Sequence, residues 1–272
     1  MKKTFFFIFS SILLATILIF FNVTVINTST FKVRKETIIS DKIDKDLNGL
    51  ILTYFSDLHY KNESDNKYLE KIVNKINELD SDIVIFGGDL IDSLNIDSIS
   101  QTSIDILTES FSKINSTYGK YYVLGDCDLD ANNTAIKILT NSSFKQIDNN
   151  TASVYIDTNS FINLVGINDN TSLFNEINTA GYTFAISHYP DTFDSIVGYD
   201  FDYMLAGHSH GGQIYLPLIN KYTRLPGYQL YIKGKTKQNN KTLDITNGLG
   251  TTKNNARLFA DAEIVVYRLL SK

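Results

Sequence analysis

The sequence predicts an α/β fold that follows an N-terminal membrane-spanning helix. Short apolar runs typical of buried strands alternate with amphipathic helical patterns, which predicts the α/β class. An uncharged apolar run from about Thr4 to Ile26 predicts the helix, because roughly 20 such residues span a bilayer. The chain has 272 residues, of which 43% are hydrophobic, and this is enough for one domain with one sizeable core.

The apolar run at the N-terminus favours an uncleaved signal anchor over residues 1–28. A cleaved signal peptide is the alternative, but its apolar region would be shorter and followed by small residues. No Ala-x-Ala site, twin arginine or lipobox cysteine accompanies the run. Lys2 and Lys3 favour a cytoplasmic N-terminus, which places the rest of the chain outside. Basic residues at positions 32, 34 and 35 weaken that charge asymmetry.

A loosely alternating segment separates this anchor from the main domain. We expect residues 29–48 to form a juxtamembrane linker or an edge strand, and residues 49–272 to form the domain. That domain begins with a buried strand over Leu50–Phe55. A helix follows, with Asp65 as its expected N-cap and Leu79 near its end, and Asp82–Phe86 is a second strand. A strand, a helix and a strand predict parallel pairing with a right-handed crossover.

The remaining elements continue this alternation and then give way to shorter strands. Helical patterns cover Ile99–Ile114, Ala131–Leu139 and Ser172–Ala180. Strands are predicted at Tyr121–Leu124, Val154–Ile156, Phe161–Val165, Thr183–Ile186, Phe201–Ala206, Leu230–Ile232, Leu243–Ile245 and Ile264–Tyr267.

Composition excludes several classes of protein. The net charge is −5 and no basic stripe is present, which argues against nucleic acid as a partner. A single cysteine excludes an internal disulfide framework. No internal repeat has the spacing of a solenoid.

Polar clusters follow five of the apolar strands, and all four histidines of the chain lie in them. A capped turn is the ordinary explanation of any single cluster, but it does not account for this sorting of the histidines. Ligands of open α/β sheets bind beyond the carboxyl ends of the strands. The clusters are Asp57 with His59, Asp89, Asp126 to Asp128, His188, and His208 with His210.

The last cluster is the most suggestive of them. In Gly207-His208-Ser209-His210-Gly211 the two imidazoles can point to one place only if the backbone turns, and the flanking glycines allow that turn. A polar strand-to-loop junction with solvated histidines is the alternative for this motif alone.

Aspartate and histidine together, without cysteine pairs, suit a mixed oxygen and nitrogen metal site for Mn²⁺, Fe, Zn²⁺ or Mg²⁺. Seven candidate ligands are too many for one tetrahedral ion. They fit two divalent ions that share a carboxylate, a pair able to clamp a phosphoryl group and to make hydroxide from water near neutral pH.

With these blocks in this order, the sequence resembles the calcineurin-like metallophosphoesterase superfamily. The family pattern is Asp-x-His, Gly-Asp, Gly-Asn-His-Asp/Glu, His and Gly-His-x-His, and it is matched from about residue 49 to the C-terminus. Within that superfamily, the chain looks like the bacterial envelope-associated subgroup, which includes cell-wall-bound phosphoesterases and UDP-diacylglucosamine hydrolases. The features that carry this likeness are the Gly211-Gly212-Gln213 tail, the membrane segment, Gly248-Leu249-Gly250, Arg257 and Glu263. The resemblance implies a four-layer α-β-β-α sandwich.

The resemblance also implies the ligand sets and the reaction. One ion would be held by Asp57, His59, Asp89 and His210, and the other by Asp89, Asp126, His188 and His208, with Asp89 bridging. The implied activity is that of a phosphodiesterase or pyrophosphatase in which a metal-activated hydroxide attacks a membrane- or envelope-linked phosphoester.

This chain departs from the family at two positions, where Asp126 replaces asparagine and Cys127 replaces histidine. The added charge would bring the metal core close to neutral, so that it polarises a phosphate less. Cys127 and Asp128 occupy the family's catalytic positions, but a thiol is a weak donor, and losing a general acid typically costs about 10²–10⁴-fold in rate.

Four hypotheses for this altered block stay open. The chain could be an active enzyme, slower or with a shifted substrate choice, or a metal-binding protein that has lost the chemistry. Cys127 could be a redox control point, or an inert small residue. Tyr60, Lys61, Arg224 and Lys233 are weaker candidates for substrate contacts, and an ordinary surface role is favoured for each.

Overall fold

The computed structural model describes residues 2–129, 132–168, 171–175, 177–216 and 226–272. Within these residues, two six-stranded sheets face each other, with helices packed on their outer surfaces. The predicted α-β-β-α sandwich is confirmed.

The first sheet has the strand order β1-β12-β2-β3-β4-β5. Its pairs are parallel except for β12 with β2, which are antiparallel. The strands are β1 (Lys32–Ser40), β2 (Ile51–Phe55), β3 (Ile83–Phe86), β4 (Gly119–Tyr122), β5 (Phe144–Gln146) and β12 (Glu263–Ser271).

The second sheet has the order β10-β11-β9-β8-β7-β6, with antiparallel pairs only at its two ends. Its strands are β6 (Asn150–Tyr155), β7 (Phe161–Gly166), β8 (Tyr182–Ile186), β9 (Tyr203–Ala206), β10 (Gly234–Gln238) and β11 (Lys241–Ile245).

Helices cover the outer face of each sheet. On the first sheet they are α2 (Asn66–Glu78), α3 (Gln101–Ser112) and α4 (Thr134–Asn141), and the short α5 (Thr192–Ile196) lies on the second. Helix α2 packs against its sheet because it has one apolar face. The buried residues of that face recur at helical spacing and are Leu69, Ile72, Val73 and Ile76. Between the sheets, side chains such as Leu52 of β2 and Phe184 of β8 share the central core.

Several sequence predictions need correction. The segment Leu230–Ile232 is not a strand, because the backbone N–H groups of Leu230 and Tyr231 donate to the Asp191 carboxylate. Asp65 does not cap α2 with its side chain, which instead accepts from the N–H of Lys61. The helix predicted over Ser172–Ala180 is a 3₁₀ turn over Thr171–Asn175, and residue 176 lies outside the described residues.

The N-terminal apolar run forms helix α1 (Lys2–Phe21), which continues helically to Ser29. The stretch Phe6–Ser29 is long and apolar enough to cross a membrane, and its most apolar window is not buried against the protein. The end of this helix nevertheless contacts the domain. The backbone N–H of Arg257 donates to the Val23 carbonyl at 2.9 Å, and the Asn27 side chain donates to the backbone carbonyl of Arg257 at 3.0 Å.

Candidate metal centre

Strand ends from both sheets meet at one edge of the sandwich and bring the predicted ligands together. Parallel strands deliver their carboxyl ends to the same edge of a sheet. Asp57 and His59 follow β2, Asp89 follows β3, Asp126 lies beyond β4, His188 follows β8, and His208 and His210 follow β9. Their side chains form one group of Asp89, Asp126, His188 and His208 and another of Asp57, His59 and His210, each with ligand atoms within 4.8 Å of one another.

The backbone at these residues is unusual. Asp57, His59, Asp89, His208 and His210 all have positive φ, between 45° and 65°. Such a conformation is uncommon for residues other than glycine and often marks a functional site. The turn expected from the flanking glycines involves Gly211, whose φ is 60°, and also the two histidines themselves. Gly207 has a different role: a Cβ there would lie 2.6 Å from the Asp57 carboxylate.

We call Asp57, His59 and His210 the enclosed half-site, because each is at most 4% exposed. The His59 and His210 Nε2 atoms lie 3.0 Å apart, and His210 Nε2 is 3.6 Å from Asp57 Oδ1. The other ring nitrogen of His210, Nδ1, lies 3.3 Å from the Gly250 carbonyl and donates to it. This hydrogen bond leaves the Nε2 lone pair of His210 free to bind a cation.

We call Asp126, His188 and His208 the open half-site, because the Asp126 side chain is 51% exposed. Asp126 Oδ1 lies 3.1 Å from His208 Nδ1 and 3.4 Å from His188 Nε2. His188 Nδ1 donates to the Gly87 carbonyl at 2.7 Å, and His208 Nε2 donates to the Pro226 carbonyl at 3.0 Å. Both imidazoles therefore turn their second ring nitrogen toward Asp126.

The residues present fit cations. Among the described residues, the buried His188 Nε2 has no hydrogen-bond partner, although three carboxylates lie within 4.0 Å of it. In the enclosed half-site, the Nε2 atoms of His59 and His210 face each other at 3.0 Å. Two ligands about 2.1 Å from one ion and at right angles to each other would be separated by roughly this distance.

The three buried histidines have different electrostatic environments. Burial alone would lower the pKa of His188, but the Asp89 and Asp126 carboxylates outweigh burial and raise that pKa well above its usual value. In the enclosed half-site, burial is likewise outweighed by the Asp89 and Asp92 carboxylates, which raise the pKa of His59 well above its usual value. Burial, the neighbouring His59 and the Arg257 guanidinium lower the pKa of His210 well below its usual value. Negative potential is therefore concentrated around His188 and His59, and His210 is a neutral ligand.

The two predicted catalytic residues occupy different environments. Cys127 lines a cavity of about 350 Å³ that also includes Asp89, Asp126 and His208 in its wall. Asp128 is fully buried, and its carboxylate accepts from the backbone N–H groups of Asp89, Leu90 and Gly125 at 2.7–2.9 Å. Asp128 thus stabilises the loop that carries Asp89. It does not belong to the wall of this cavity.

Sequence reasoning missed two residues that support the ligands. Asp92 Oδ2 lies 3.7 Å from His59 Nδ1, and the Ser56 hydroxyl donates to the Asp57 carboxylate. The only signal for either was its closeness in sequence to a predicted ligand. Arg257, noted only as a family feature, is fully buried, and its guanidinium donates to the Asn247 and Gly250 carbonyls.

The weaker candidates for substrate contacts lie elsewhere. Tyr60 and Lys61 line a smaller neighbouring cavity, and Lys233 donates to the Phe259 carbonyl at 2.8 Å. Arg224 lies outside the described residues.

Comparison with known families decides the classification. The family model described as calcineurin-like phosphoesterase matches residues 52–212, a range that contains all seven predicted ligands. The chain belongs to the calcineurin-like phosphoesterase family. Calcineurin-like phosphoesterases use two divalent metal ions and hydrolyse phosphoester bonds, so the predictions of family, enzyme class and a two-metal cofactor are confirmed.

Similar calcineurin-like phosphoesterases occur in several bacteria. An uncharacterized metallophosphoesterase of Bacillus subtilis, YkuE, is 26% identical over 87% of this chain and 85% of its own length. A protein of Campylobacter jejuni, also described as an uncharacterized metallophosphoesterase, is 30% identical over 85% of this chain, which spans 61% of that relative. The UDP-2,3-diacylglucosamine pyrophosphatase LpxG of Chlamydia muridarum is 24% identical over 82% of this chain and 84% of its own length.

Proposed function

We propose that this calcineurin-like phosphoesterase is a phosphodiesterase or pyrophosphatase that hydrolyses a membrane- or envelope-linked phosphoester. The observation that carries the proposal is the presence of two adjacent ligand groups, one of which contains Asp89. Residues of both groups line a cavity that is large enough for a phosphoester group. A lipid-linked pyrophosphate is the substrate class we favour, since LpxG is named for cleaving one and is similar over most of this chain.

In this proposal Asp57, His59, Asp89 and His210 hold one divalent ion, and Asp89, Asp126, His188 and His208 hold the other. When bound, such ions supply Lewis acidity toward phosphoryl oxygens and lower the pKa of water. The chain's own contribution is orientation. Three imidazoles each donate one ring N–H to a backbone carbonyl: His188 to Gly87, His208 to Pro226 and His210 to Gly250. These hydrogen bonds fix both the tautomer and the ring plane.

Cys127 and Asp126 give this site its particular character. Cys127 lies in the cavity wall where the family places a histidine, and its thiol is a weak proton donor toward a leaving group. Asp126 adds a negative charge that reduces the attraction for an anionic phosphate. Substrates with good leaving groups, such as nucleoside phosphates, should therefore be cleaved best.

We also propose that residues 1–28 anchor the chain as a single-pass membrane helix, with the catalytic domain on the extracytoplasmic side. The uncharged stretch Phe6–Ser29 and the positive charges of Lys2 and Lys3 support this arrangement. The boundaries at residues 28 and 48 stay predictions. Strand β1 (Lys32–Ser40) pairs along its whole length with β12, so experiments should keep it.

The direct test is hydrolysis of bis(p-nitrophenyl) phosphate by the full chain in nanodiscs, with added Mn²⁺ and then with a chelator. Turnover that the chelator abolishes and Asp89→Asn lacks is the expected result. The same samples should then cleave a diacylated nucleoside-diphosphate sugar faster than its deacylated form. No metal-dependent turnover on a broad phosphoester panel would overturn the proposal.

A second candidate is a metal-binding protein that has lost the chemistry, and the residues that favour it are Asp126 and Cys127. It predicts two bound metal ions without turnover, and turnover restored in the Asp126→Asn, Cys127→His double variant. Metal content and hydrolysis measured side by side test it. An inactive double variant that still holds two ions would refute its simple form.

A further inference from the structure

We propose that a surface beside the metal cavity lies directly on the bilayer into which the chain's own helix α1 inserts. We call it the interfacial surface and define it by Ile214, Tyr215, Lys233 and Phe259. The inference rests on the membrane insertion proposed above and extends it: the domain itself, and not only its anchor, would contact lipid.

The segment that carries Phe259 is fixed to the membrane end of the helix. The backbone N–H of Arg257 donates to the Val23 carbonyl at 2.9 Å, and the backbone carbonyl of Arg257 accepts from the Asn27 side chain at 3.0 Å. Val23 lies inside the apolar stretch that ends at Ser29. Since two residues of chain span at most about 7 Å, Phe259 must lie close to the level at which the helix leaves the lipid.

Phe259 is exposed in a strained conformation. It is 67% exposed and has a φ of 55°, which for a bulky aromatic residue is a genuine outlier. Packing within the described residues does not account for that exposure, whereas insertion into lipid would remove the exposed ring from water. Such strain usually persists where it serves a function.

Neighbouring residues extend the surface. The Tyr215 N–H donates to the Leu258 carbonyl at 2.8 Å, which places Ile214 and Tyr215 beside Phe259. Ile214 is 38% exposed. Scattered apolar residues are ordinary on a surface, but Ile214 and Phe259 lie on paired chain segments, one of which is hydrogen-bonded to an apolar helix.

The polar residues of the surface suit the lipid headgroup region. The Lys233 ammonium lies 4.4 Å from the centre of the Tyr215 ring and donates to the Phe259 carbonyl at 2.8 Å. Tyrosine is enriched at membrane interfaces, and lysine can place its stem in apolar surroundings and its charge among phosphates.

The surface is continuous with the wall of the metal cavity. Gln213 lines that cavity and directly precedes Ile214, and its side chain accepts from the Thr252 N–H at 3.1 Å. A lipid could therefore present its headgroup to the cavity while its acyl chains stay in the bilayer. The substrate class that follows is a membrane lipid whose phosphoester lies in its headgroup.

The chain contains no tryptophan, so one substitution creates a unique fluorescent reporter. The full-length Phe259→Trp variant should be placed in nanodiscs with and without lipid brominated on its acyl chains. Phe7→Trp, within α1, is the positive control. Tyr155→Trp is the negative control, because Tyr155 is 55% exposed on β6, at the far edge of the second sheet.

The expected result is quenching of the position-259 reporter by at least half as much as the position-7 reporter, with no quenching at position 155. Ile214→Trp is a second reporter in case Phe259→Trp does not fold. Quenching at position 7 but at neither 259 nor 214 would overturn the interfacial surface and leave the anchor intact. No quenching at position 7 would overturn membrane insertion and, with it, this inference. Hydrolysis of bis(p-nitrophenyl) phosphate by the same samples reports the proposed chemistry separately.

Discussion

The two half-sites lie on either side of Asp89, but they are built differently. Asp57, His59 and His210 are all nearly buried, although His59 and His210 form part of the cavity wall, and Asp92, Ser56 and Arg257 lie against them. The open half-site also buries His188 but exposes Asp126 to the cavity.

Of the two departures from the family pattern, Asp126 belongs to the open half-site, whereas Cys127 lies beside His59 of the enclosed half-site, with the ligand atoms of His59, Asp89 and Cys127 within 4.8 Å of one another. The difference indicates that the buried ligands keep an ion in place, and that the exposed Asp126 is the ligand position at which substrate and rate can change without loss of the fold.

The strongest test of this comparison removes one charge from each half-site. Asp57→Asn should lose one metal ion and at least about 10³-fold in kcat/KM, because a bound ion contributes several kcal/mol of transition-state stabilisation. Asp126→Asn should keep both ions and hydrolyse bis(p-nitrophenyl) phosphate a few-fold faster, since the metal core regains positive charge. Metal analysis and steady-state kinetics measure both effects. Equal losses in the two variants would contradict the distinction between the half-sites.

A second test uses the leaving group. Cys127→His should accelerate a substrate with a poor leaving group by about 10²-fold, because a general acid is restored in the cavity. For bis(p-nitrophenyl) phosphate, whose leaving group needs little protonation, the rate should hardly change. Cys127→Ser is the matched control and should resemble the native chain. If Cys127→His gave the same gain for both substrates, proton donation would not be the explanation.

A third and smaller effect concerns the support of His59. Asp92→Asn should weaken metal binding in the enclosed half-site by about tenfold, since carboxylates beside ligating histidines typically contribute 10–100-fold to affinity. Competition with a chelating dye measures the two affinities separately. Asp105→Asn, on the exposed face of α3, is the control and should change neither affinity. Equal weakening of both ions would mean that Asp92 acts through Asp89.

The strand ends made much of this site predictable from sequence. A buried strand followed at once by Asp57 or His188 is recognisable without a structure, and parallel strands bring such ends together. The positive φ of Gly211 agrees with the turn that the sequence predicts there, but the left-handed backbone at His208 and His210 was not predictable, because local sequence favoured only the glycines as turning residues.

Contacts between distant segments were also beyond sequence reasoning. The approach of Arg257 to Val23 joins residues 234 positions apart. The segment Leu230–Ile232 has the apolar character of a strand. The backbone N–H groups of Leu230 and Tyr231, however, donate to the Asp191 carboxylate and not to a neighbouring strand. Asp92 belongs to no predicted motif, and its proximity to His59 depends on how the loop after β3 folds back.

The positive φ angles at Asp57, His59, Asp89, His208 and His210 have a consequence for the life of the protein in a cell. Each such residue costs roughly 1–2 kcal/mol of folding free energy. An ion that binds only the folded chain returns about 4 kcal/mol when its free concentration is 1,000 times its Kd. Metal supply should therefore set how much protein survives proteolysis as well as how fast it works. A melting temperature unchanged by Mn²⁺ and by chelator would refute this link between metal availability and abundance.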